Sequence, residues 1–556
     1  MTRSVALLLS LGLSASLPAA DLDAVRAIAV QDGGRLKPLD TFARETARRV
    51  GGARAFGAES MSSKEPVEWL VAMMADPAYW KTVPMVRVAQ ADLRGLIGLP
   101  ADRDRFSFDE LVRNPAFLSE IEKLQARFQG GAEPKLTPVE EALSSLYNTL
   151  NLLAGIYSTE GVMVVPAGAD HGDEWTSLVD PHGARSAQRV RLLASSLFAA
   201  YRSGDSETVR GAGAALAARL AELSPESYPS AVQLGREVSY NRLKPFRLAW
   251  MFYVVGAALA LARLAVRRPT TLGLWIIGAG WLLHTYGLAL RTLIAGRAPV
   301  TNMYESVVFV AWGAVLFALL FEWTQRVGYA GAAAAVLAVA ALVTADSVPI
   351  MDGAIAPLVP VLRDNFWLTT HVLTISLGYA ALLLGAGLGH VSLAVWLLAP
   401  DKARTSRLPI LIYRALQAGT LLLAAGTLLG GVWASYSWGR FWGWDPKETW
   451  ALIALLGYLS LLHARSAGVL RDFGMAVGSI LSFLLVLMAW YGVNFILGTG
   501  LHSYGFGSGG YGYVAAFAGT ELAIVVFALL VWRRRHPRVA TAAGAHAPAH
   551  AHPGVS

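Results

Sequence analysis

Long apolar runs fill the second part of the chain, and each approaches the ~20 residues that an α-helix needs to cross the hydrocarbon core of a bilayer. The fourth and seventh runs are the shortest. The nine runs are approximately Phe246–Leu264, Leu272–Ile294, Ser306–Trp323, Ala330–Ala345, Thr370–Leu398, Ile410–Ala434, Trp450–Ala464, Met475–Ile496 and Tyr513–Trp532. The pattern predicts an all-α polytopic membrane protein, with about nine transmembrane helices in residues 246–535.

Residues 21–245 contain no run that is long and apolar enough to span a bilayer. They are predicted to form a soluble, mainly helical domain. Thr137, Pro138 and Glu140 form a capping box with proline at the first helical position, so a helix is expected from there to about Ile156. Two further helices are predicted over Val190–Tyr201 and Glu207–Leu223, and a turn-rich segment over Gln31–Thr41 leads into a basic helix.

The two ends of the chain differ in character from the rest. Residues 1–20 combine Arg3, a short apolar run and small residues at the end, which predicts a secretory signal peptide, with an uncleaved anchor as the alternative. Residues 536–556 are rich in Ala, Pro and His, and a disordered cytoplasmic tail is expected. Its histidines resemble a weak metal-binding tract, but a solvated tail is favoured; they are His546, His550 and His552.

Composition narrows the class of protein. Of 556 residues, 54% are hydrophobic and only 15% charged, which is typical of a membrane protein with a soluble portion. The net charge of +8 suggests nucleic acid at first, but the basic residues cluster in short loops between apolar runs, so no nucleic-acid partner is expected. The absence of cysteine excludes disulfides, thiolate metal sites and a cysteine nucleophile.

The basic residues also predict the orientation in the membrane. If the soluble domain lies outside, thirteen Lys and Arg residues fall in inner loops and four in outer loops, in agreement with the positive-inside rule. The four outer ones are Arg297, Arg363, Arg440 and Lys447. The expected location is the inner (cytoplasmic) membrane. The soluble domain, residues 433–449 and the loops Pro349–Thr369 and Leu497–Gly512 would face the periplasm.

The most unusual segment is the outer loop that runs into the seventh span. Residues 438–465 read WGRFWGWDPKETWALIALLGYLSLLHAR. One or two tryptophans at a membrane boundary serve as anchors. Here Trp438, Trp442 and Trp444 stand among Gly439 and Gly443. Glycines let a backbone approach a flat molecule, and indoles provide faces on which it stacks.

The motif WGxxWxWDPKETWAL, with a histidine later in the helix, resembles the tryptophan-rich signature of CcsA/ResC-type proteins. These belong to the system II cytochrome c synthases, which export haem and attach it to apocytochrome c. The system I proteins CcmC and CcmF share the signature without the PKET continuation. The resemblance is strong over the C-terminal half and weaker before it, where Gln31–Thr41 resembles a segment ahead of the CcsA half in fused CcsBA synthases.

Two histidines fall on the predicted outer face. His371 opens the fifth span and His502 follows the eighth, so they flank the tryptophan-rich loop. A single histidine at a helix end most often hydrogen-bonds a loop, but imidazole is also a good axial ligand of haem iron. The resemblance implies that these two histidines hold external haem. The site would also include Trp438, Trp442, Trp444 and Asp445.

Three further histidines lie within spans. The resemblance implies that His463 is a ligand of a transmembrane haem, a neutral interfacial histidine being the alternative, and that a CcsB/ResB-like membrane subunit supplies the second ligand. His284 is mid-span, where an ionisable residue is costly. It is either a second inner ligand or a satisfied core residue, and the sequence leaves both open. His390 is expected to serve packing.

Charged residues near the loop have several possible roles. Residues 297–306 resemble a family element on the outer face, in which Asn302 and Glu305 either brace the site or cap a helix. Arg440, Lys447 and Arg363 are candidate partners of haem propionates, since charge-assisted bonds to carboxylates are strong. Asp445 and Lys447 could instead pair with each other, or with Arg440.

The function that the resemblance implies is export of haem b and its covalent attachment to the CxxCH motif of apocytochrome c. The protein would be the CcsA subunit of a system II synthase, of the holocytochrome-c synthase type, acting with a CcsB/ResB-like partner. No general acid or base is evident. One alternative is a haem exporter or chaperone of the CcmC type, which forms no thioether bonds. The other is a membrane scaffold without haem, whose tryptophans are anchors only.

Overall fold

The computed structural model describes residues 21–52, 64–128, 136–166, 174–179, 185–266, 271–348, 351–358, 365–399, 401, 407–502 and 511–535. The predicted signal peptide, the predicted tail with its three histidines, and Arg363 lie outside the described residues. The chain divides into two compact units. The first contains residues up to Tyr253 together with Gly278–Phe309 and Val339–Asn365, and the second contains the rest. The domain boundary predicted at residue 245 stays a prediction.

The N-terminal part of the first unit is mainly helical. Its helices are α1 (Asp23–Arg26), α2 (Leu39–Gly51), α3 (Pro66–Ala75), α4 (Pro77–Trp80), α5 (Ala91–Leu96), α6 (Phe108–Val112), α7 (Pro115–Phe128), α8 (Pro138–Ser158), α9 (Arg185–Ser203), α10 (Ser206–Leu223) and α11 (Ala231–Leu243). The three helices predicted here correspond to α8, α9 and α10. The capping box of Thr137 and Glu140 is present at the start of α8, so the prediction of a helix there is confirmed.

Short strands accompany these helices. They are β1 (Ala29–Asp32), β2 (Arg35–Pro38), β3 (Val86–Arg87), β4 (Arg105–Phe106), β5 (Met163–Val165) and β6 (Thr176–Ser177). Four form an antiparallel sheet in the order β2-β1-β5-β6, and β3 pairs with β4. Strands of two to four residues are too short to show a period of two in the sequence, which explains why none was predicted.

The segment predicted as turn-rich, Gln31–Thr41, is largely a β-hairpin. Asp32 pairs with Arg35, and the two residues between them, Gly33 and Gly34, have φ of 60° and 78°. Two consecutive positive φ values are what a type I′ hairpin turn requires, and glycine adopts them without steric cost. The helix expected after the segment is α2, which begins at Leu39.

A buried polar cluster fastens α2 to α11. Asp40 is fully buried and accepts hydrogen bonds from Arg26, Arg44 and Asn241. Because a buried carboxylate without partners is very costly, three donors make this position stable. In the same cluster Glu237 accepts two hydrogen bonds from Arg35, at 2.9 and 2.7 Å.

Nine long helices follow among the described residues. They are α12 (Pro245–Val266), α13 (Leu272–Ala295), α14 (Met303–Gln325), α15 (Ala330–Ser347), α16 (Asn365–Leu398), α17 (Leu408–Trp438), α18 (Pro446–Ser466), α19 (Asp472–Leu487), which continues as a π-helix over Met488–Leu497, and α20 (Tyr511–Arg535). Within the described part of the chain, eight helical segments are long and apolar enough to cross a membrane. The protein is therefore an all-α polytopic membrane protein, as predicted. A ninth crossing by α18 stays a prediction.

Small residues bring α16 and α17 close together in the second unit. A β-carbon at Gly378 would lie 3.0 Å from the backbone nitrogen of Leu423, and one at Gly426 would lie 2.7 Å from Cβ of Ile375. Close approach of helix backbones through glycine is a common way for membrane helices to pack. The close contact between α16 and α17 extends to His371 on α16 and Gly430 on α17. It therefore determines the position of this histidine.

Candidate functional site

His371 lies on α16 and is held by the neighbouring helix α17. Its Nδ1 is 2.7 Å from the carbonyl oxygen of Gly426, which can only accept a hydrogen bond. Nδ1 therefore carries the proton, and in the neutral imidazole the lone pair is on Nε2. A β-carbon at Gly430 would lie 2.7 Å from Cε1 of this ring, so only glycine leaves room for the imidazole here.

The tryptophan-rich loop is fixed by its own backbone. Helix α17 ends at Gly439, which has φ of 72°. Trp444 has φ of 57°, an uncommon conformation for a residue with a side chain. Asp445 then caps α18 in a capping box with Glu448, whose carboxylate also accepts a 2.7 Å hydrogen bond from the backbone N–H of Gly443. These bonds join the loop to the first turn of α18.

Asp445 also joins this loop to the segment after the π-helix. Its Oδ1 is 2.9 Å from Nδ1 of His502, and its Oδ2 accepts a 2.6 Å hydrogen bond from the backbone N–H of Leu501. Burial raises the pKa of the Asp445 carboxyl, but the bonds from His502, Lys447 N–H and Leu501 N–H outweigh it and bring the pKa down to about 2. The carboxylate is thus ionised, and Nδ1 of His502 donates to it.

One buried residue that the sequence did not single out lies beside both histidines. Trp433, on α17, is 2% exposed. Its ring centroid is 6.5 Å from that of His371, with the two rings parallel to within 2°, and 6.1 Å from that of His502. Trp438 lies 4.7 Å from Trp433 and 4.8 Å from His502. The two histidines therefore share one indole neighbour.

The indole nitrogen of Trp433 is buried and has no hydrogen-bond partner among the residues that the structure describes. Leaving a buried donor unsatisfied costs about 1–3 kcal/mol, so such groups often mark a place where something else binds. A tryptophan at the outer end of a predicted span gave the only sequence signal for this residue.

Other predicted members of the site contact one another or neighbouring segments. Trp442 and Trp444 contact each other edge to face, with centroids 5.9 Å apart, and Trp444 is 69% exposed. The guanidinium of Arg440 occupies the space that a β-carbon at Gly443 would need. Lys447 donates from Nζ to the carbonyl oxygen of Trp490 in the π-helix, at 3.2 Å, and meets Asp445 through its backbone N–H.

The remaining predicted histidines have separate surroundings. His463 is exposed near the end of α18, and its Nδ1 bonds to the carbonyl of Leu459 at 2.7 Å. His284, in the first unit, is fully buried, with Nδ1 3.1 Å from the hydroxyl of Tyr253. Its Nε2 is buried and has no hydrogen-bond partner among the described residues, so only one of the two ring nitrogens is satisfied. Both positions stay predictions as haem ligands.

His390 makes a contact that the sequence analysis missed. Its Nε2 is 2.6 Å from Oε2 of Glu521 on α20, and its Nδ1 bonds to the carbonyl of Ala386 at 2.9 Å. A lone acidic residue in an apolar span is the signal that could have indicated this pair, because such residues need a partner inside the membrane.

The predicted element on residues 297–306 contains a helix cap and a buried ion cluster in the first unit. Asn302 accepts from the backbone N–H of Glu305 at 2.8 Å, which is a cap of α14. Glu305 bonds Arg291 at 2.9 Å and Arg297 at 3.1 Å. The Arg291 guanidinium also donates to the carbonyl of Gly353, and thereby holds the segment 351–358.

The donor set fits an iron porphyrin better than a free metal ion. Among the described residues no group of three or more His, Asp or Glu side chains could hold a metal ion. A porphyrin supplies four ligands to its iron and leaves two axial positions, which two imidazoles can fill. His371 and His502 each have Nδ1 at hydrogen-bond distance from an acceptor, and in this tautomer the lone pair that could bind a metal is on Nε2.

Comparison with known proteins gives consistent results. Residues 300–502 match the family model described as cytochrome C assembly protein. The chain is 32% identical over 510 residues to the protein NrfI of Wolinella succinogenes. The aligned residues are 85% of this chain and 53% of NrfI. The chain thus spans about half the length of that relative.

Shorter relatives match the C-terminal half. The cytochrome c biogenesis protein CcsA of Synechococcus sp. (strain CC9605) is 34% identical over 290 residues, which are 46% of this chain and 94% of that protein. CcsA of Prochlorococcus marinus (strain NATL1A) is 32% identical over 295 residues, 46% of this chain and 92% of that protein.

Proposed function

Because the chain belongs to the CcsA family of cytochrome c biogenesis proteins, we propose that it holds haem b between His371 and His502 and attaches it covalently to apocytochrome c. The role in cytochrome c maturation and the membrane location follow from the family and from the spanning helices. The haem site and the attachment step are the proposal.

The arrangement around Trp433 is the observation that carries this proposal. Two histidines from segments more than a hundred residues apart in sequence lie within 6.5 Å of one buried indole. Each has Nδ1 at hydrogen-bond distance from an acceptor, and in that tautomer the lone pair that could bind iron is on Nε2. The unsatisfied indole N–H of Trp433 is a donor that an acceptor on bound haem could satisfy.

For the attachment reaction, this chain has to position the haem and the thiols. It does not have to supply an acid or a base. Each cysteine thiol of the CxxCH motif adds across one vinyl group: sulfur bonds to the carbon next to the ring, and the proton goes to the terminal carbon. Nothing is oxidised or reduced. The protein's contribution is to orient the porphyrin against the thiols and to exclude competing reactions. The histidine of the motif would displace one of the two imidazoles.

The remaining members of the site have supporting roles in this proposal. Trp438, Trp442 and Trp444 would form the surface against which the porphyrin and the apocytochrome lie, and Arg440 would pair with a propionate. His463 would receive haem on the inner side, with a second ligand from a CcsB/ResB-like subunit; His284 is the other candidate. The soluble domain and the loop would face the periplasm, in the inner membrane of the cell.

Co-expression with a CcsB/ResB-like subunit and an apocytochrome c tests the proposal. The purified wild-type protein is expected to show a low-spin bis-histidine haem spectrum, and the cytochrome to carry covalent haem. His371→Gly and His502→Gly should each lower covalent product about 10-fold or more, and added imidazole should restore part of it. Ser435→Ala, an exposed residue of α17, is the matched control.

The outcomes separate the alternatives. Haem-loaded protein that yields no covalent product with the partner present would indicate an exporter or chaperone. If the wild-type protein showed no haem spectrum and the histidine variants gave the same yield of covalent product as wild type, the protein would be a scaffold. That result would contradict the proposal.

A further inference from the structure

The two histidines at the site are not equivalent, because their Nδ1 atoms bond to different kinds of acceptor. His502 donates to the side-chain carboxylate of Asp445, and His371 donates to the backbone carbonyl of Gly426. We propose that His502 is the ligand that stays on the iron, and that His371 is the ligand that leaves when the apocytochrome histidine binds. This inference rests on the proposed function.

The acceptor decides how strongly each imidazole binds iron. A hydrogen bond to a carboxylate is about twice as strong as one between neutral groups, and it draws the Nδ1 proton away from the ring. The ring thereby becomes the more basic ligand. Asp445 is buried, with 6% exposure, so water does not weaken the effect. The bond from Nε2 of His502 to iron is therefore the stronger of the two.

Asp445 also fixes the backbone that carries His502. Its second oxygen accepts from Leu501 N–H at 2.6 Å, so carboxylate and segment are joined at two adjacent residues. A β-carbon at Gly500 would collide with this carboxylate. Leu501 and His502 are thus both hydrogen-bonded to the same carboxylate.

The side chain of His371 bonds to a neutral acceptor, the Gly426 carbonyl, and packs against Gly430. The Gly426 oxygen that it contacts lies inside α17, where the helix's own ladder also uses that carbonyl. The backbone of His371 is rigid, since α16 runs from Asn365 to Leu398. In this proposal a change of rotamer would break the bond to Gly426 and withdraw Nε2 while α16 stays in place. The CxxCH segment would then dock on the face of the porphyrin that His371 had held.

Replacing each histidine in turn by cysteine makes the ligand from that position visible in the absorption spectrum. The experiment then shows which ligand leaves the iron. His371→Cys and His502→Cys would each give haem one thiolate ligand, which has a distinct absorption spectrum. The probe is a CxxCH peptide with both cysteines replaced by serine, so that it neither forms thioethers nor offers a thiolate. The peptide is expected to abolish the thiolate spectrum of His371→Cys and to leave that of His502→Cys in place. The reverse result would overturn the inference.

Asp445→Asn provides a second measurement that needs no cysteine variant. Loss of the negative charge should raise the reduction potential of the bound haem and weaken haem retention about 10–100-fold. Leu456→Ala, at an exposed position of the same helix, should change neither. An unchanged potential in a variant that still binds haem would contradict the role given to Asp445.

If the wild type showed no bis-histidine spectrum, the proposed function itself would fail. If the spectrum were present and only the order of ligand release reversed, the failure would belong to this inference alone.

Discussion

The imidazole of His371 lies directly against Gly430, where a β-carbon would stand 2.7 Å from Cε1. This contact joins α16 and α17 at the candidate site and depends on the absence of a side chain on α17. It makes the glycine as necessary to the site as the histidine, although glycine has no chemistry of its own.

Gly430→Ala is expected to displace the His371 ring and to destabilise the protein by about 1–3 kcal/mol, because overpacking forces neighbours off their preferred rotamers. Bis-histidine haem should be lost together with the stability. Gly519→Ala on α20 is the matched control, since nothing lies within 4 Å of its β-carbon position, and it should be neutral or stabilising by about 0.5–1 kcal/mol. Thermal unfolding in detergent and the haem spectrum measure both effects. Equal behaviour of the two variants would contradict the packing argument.

Gly500→Ala is expected to break the contact between Asp445 and the segment that carries His502. Gly500 has φ of 97°, and Gly498 has φ of 56° with nothing within 4 Å. Alanine at either position bears backbone strain of about 1–2 kcal/mol, but only alanine at Gly500 also collides with the carboxylate. Haem absorbance per protein should therefore fall sharply in Gly500→Ala and little in Gly498→Ala. Similar losses in both would show that backbone strain alone matters.

The pair His390 and Glu521 should stabilise the contact between α16 and α20 only while both partners are present. Removing one side chain, as in His390→Ala or Glu521→Ala, leaves a buried polar group without its partner and should cost about 3–5 kcal/mol. Replacing both by leucine should cost less than about 1.5 kcal/mol, since the volume is kept and no charge is buried. Thermal unfolding of the three variants in detergent tests this. A double variant as unstable as the single ones would argue against pairing as the source of stability.

Glu305 and Asn302 should differ strongly in their contribution to stability. Glu305 is buried between Arg291 and Arg297, so Glu305→Ala leaves two guanidinium groups without their carboxylate and should cost about 3–5 kcal/mol. Asn302 caps α14 only, and Asn302→Ala should cost about 1 kcal/mol. Denaturation midpoints distinguish the two. Comparable losses would mean that Asn302 does more than cap a helix.

Local pattern was enough to predict most of the helices. The span predicted as Leu272–Ile294 is α13 at Leu272–Ala295, and that predicted as Met475–Ile496 is contained in α19 with its π-helical continuation to Leu497. The length of an apolar run depends only on residues that are adjacent in the sequence, so it can be counted from the sequence directly. The hairpin at Gly33 and Gly34 was missed, because its strands are too short to show a period.

The members of the site were less accessible to sequence reasoning. The resemblance to CcsA-type proteins identified His371, His502 and Asp445 as candidates, and their role as haem ligands and partners stays a proposal. Trp433 was missed, since nothing in the sequence separates a buried tryptophan in a span from an interfacial anchor. The hydrogen-bond partner of Asp445 was also left open between Lys447 and Arg440.

The order of apolar runs, the capping residues and the distribution of basic side chains are properties of adjacent positions, and they alone determined the helices and the class of protein. Which side chains meet was decided by how the helices pack. Asp445 and His502 are 57 residues apart, and His390 and Glu521 are 131 apart, so no local spacing can specify either contact. The close approach of α16 to α17 at glycine, and the turn of the chain at Gly500, bring these groups within hydrogen-bond distance.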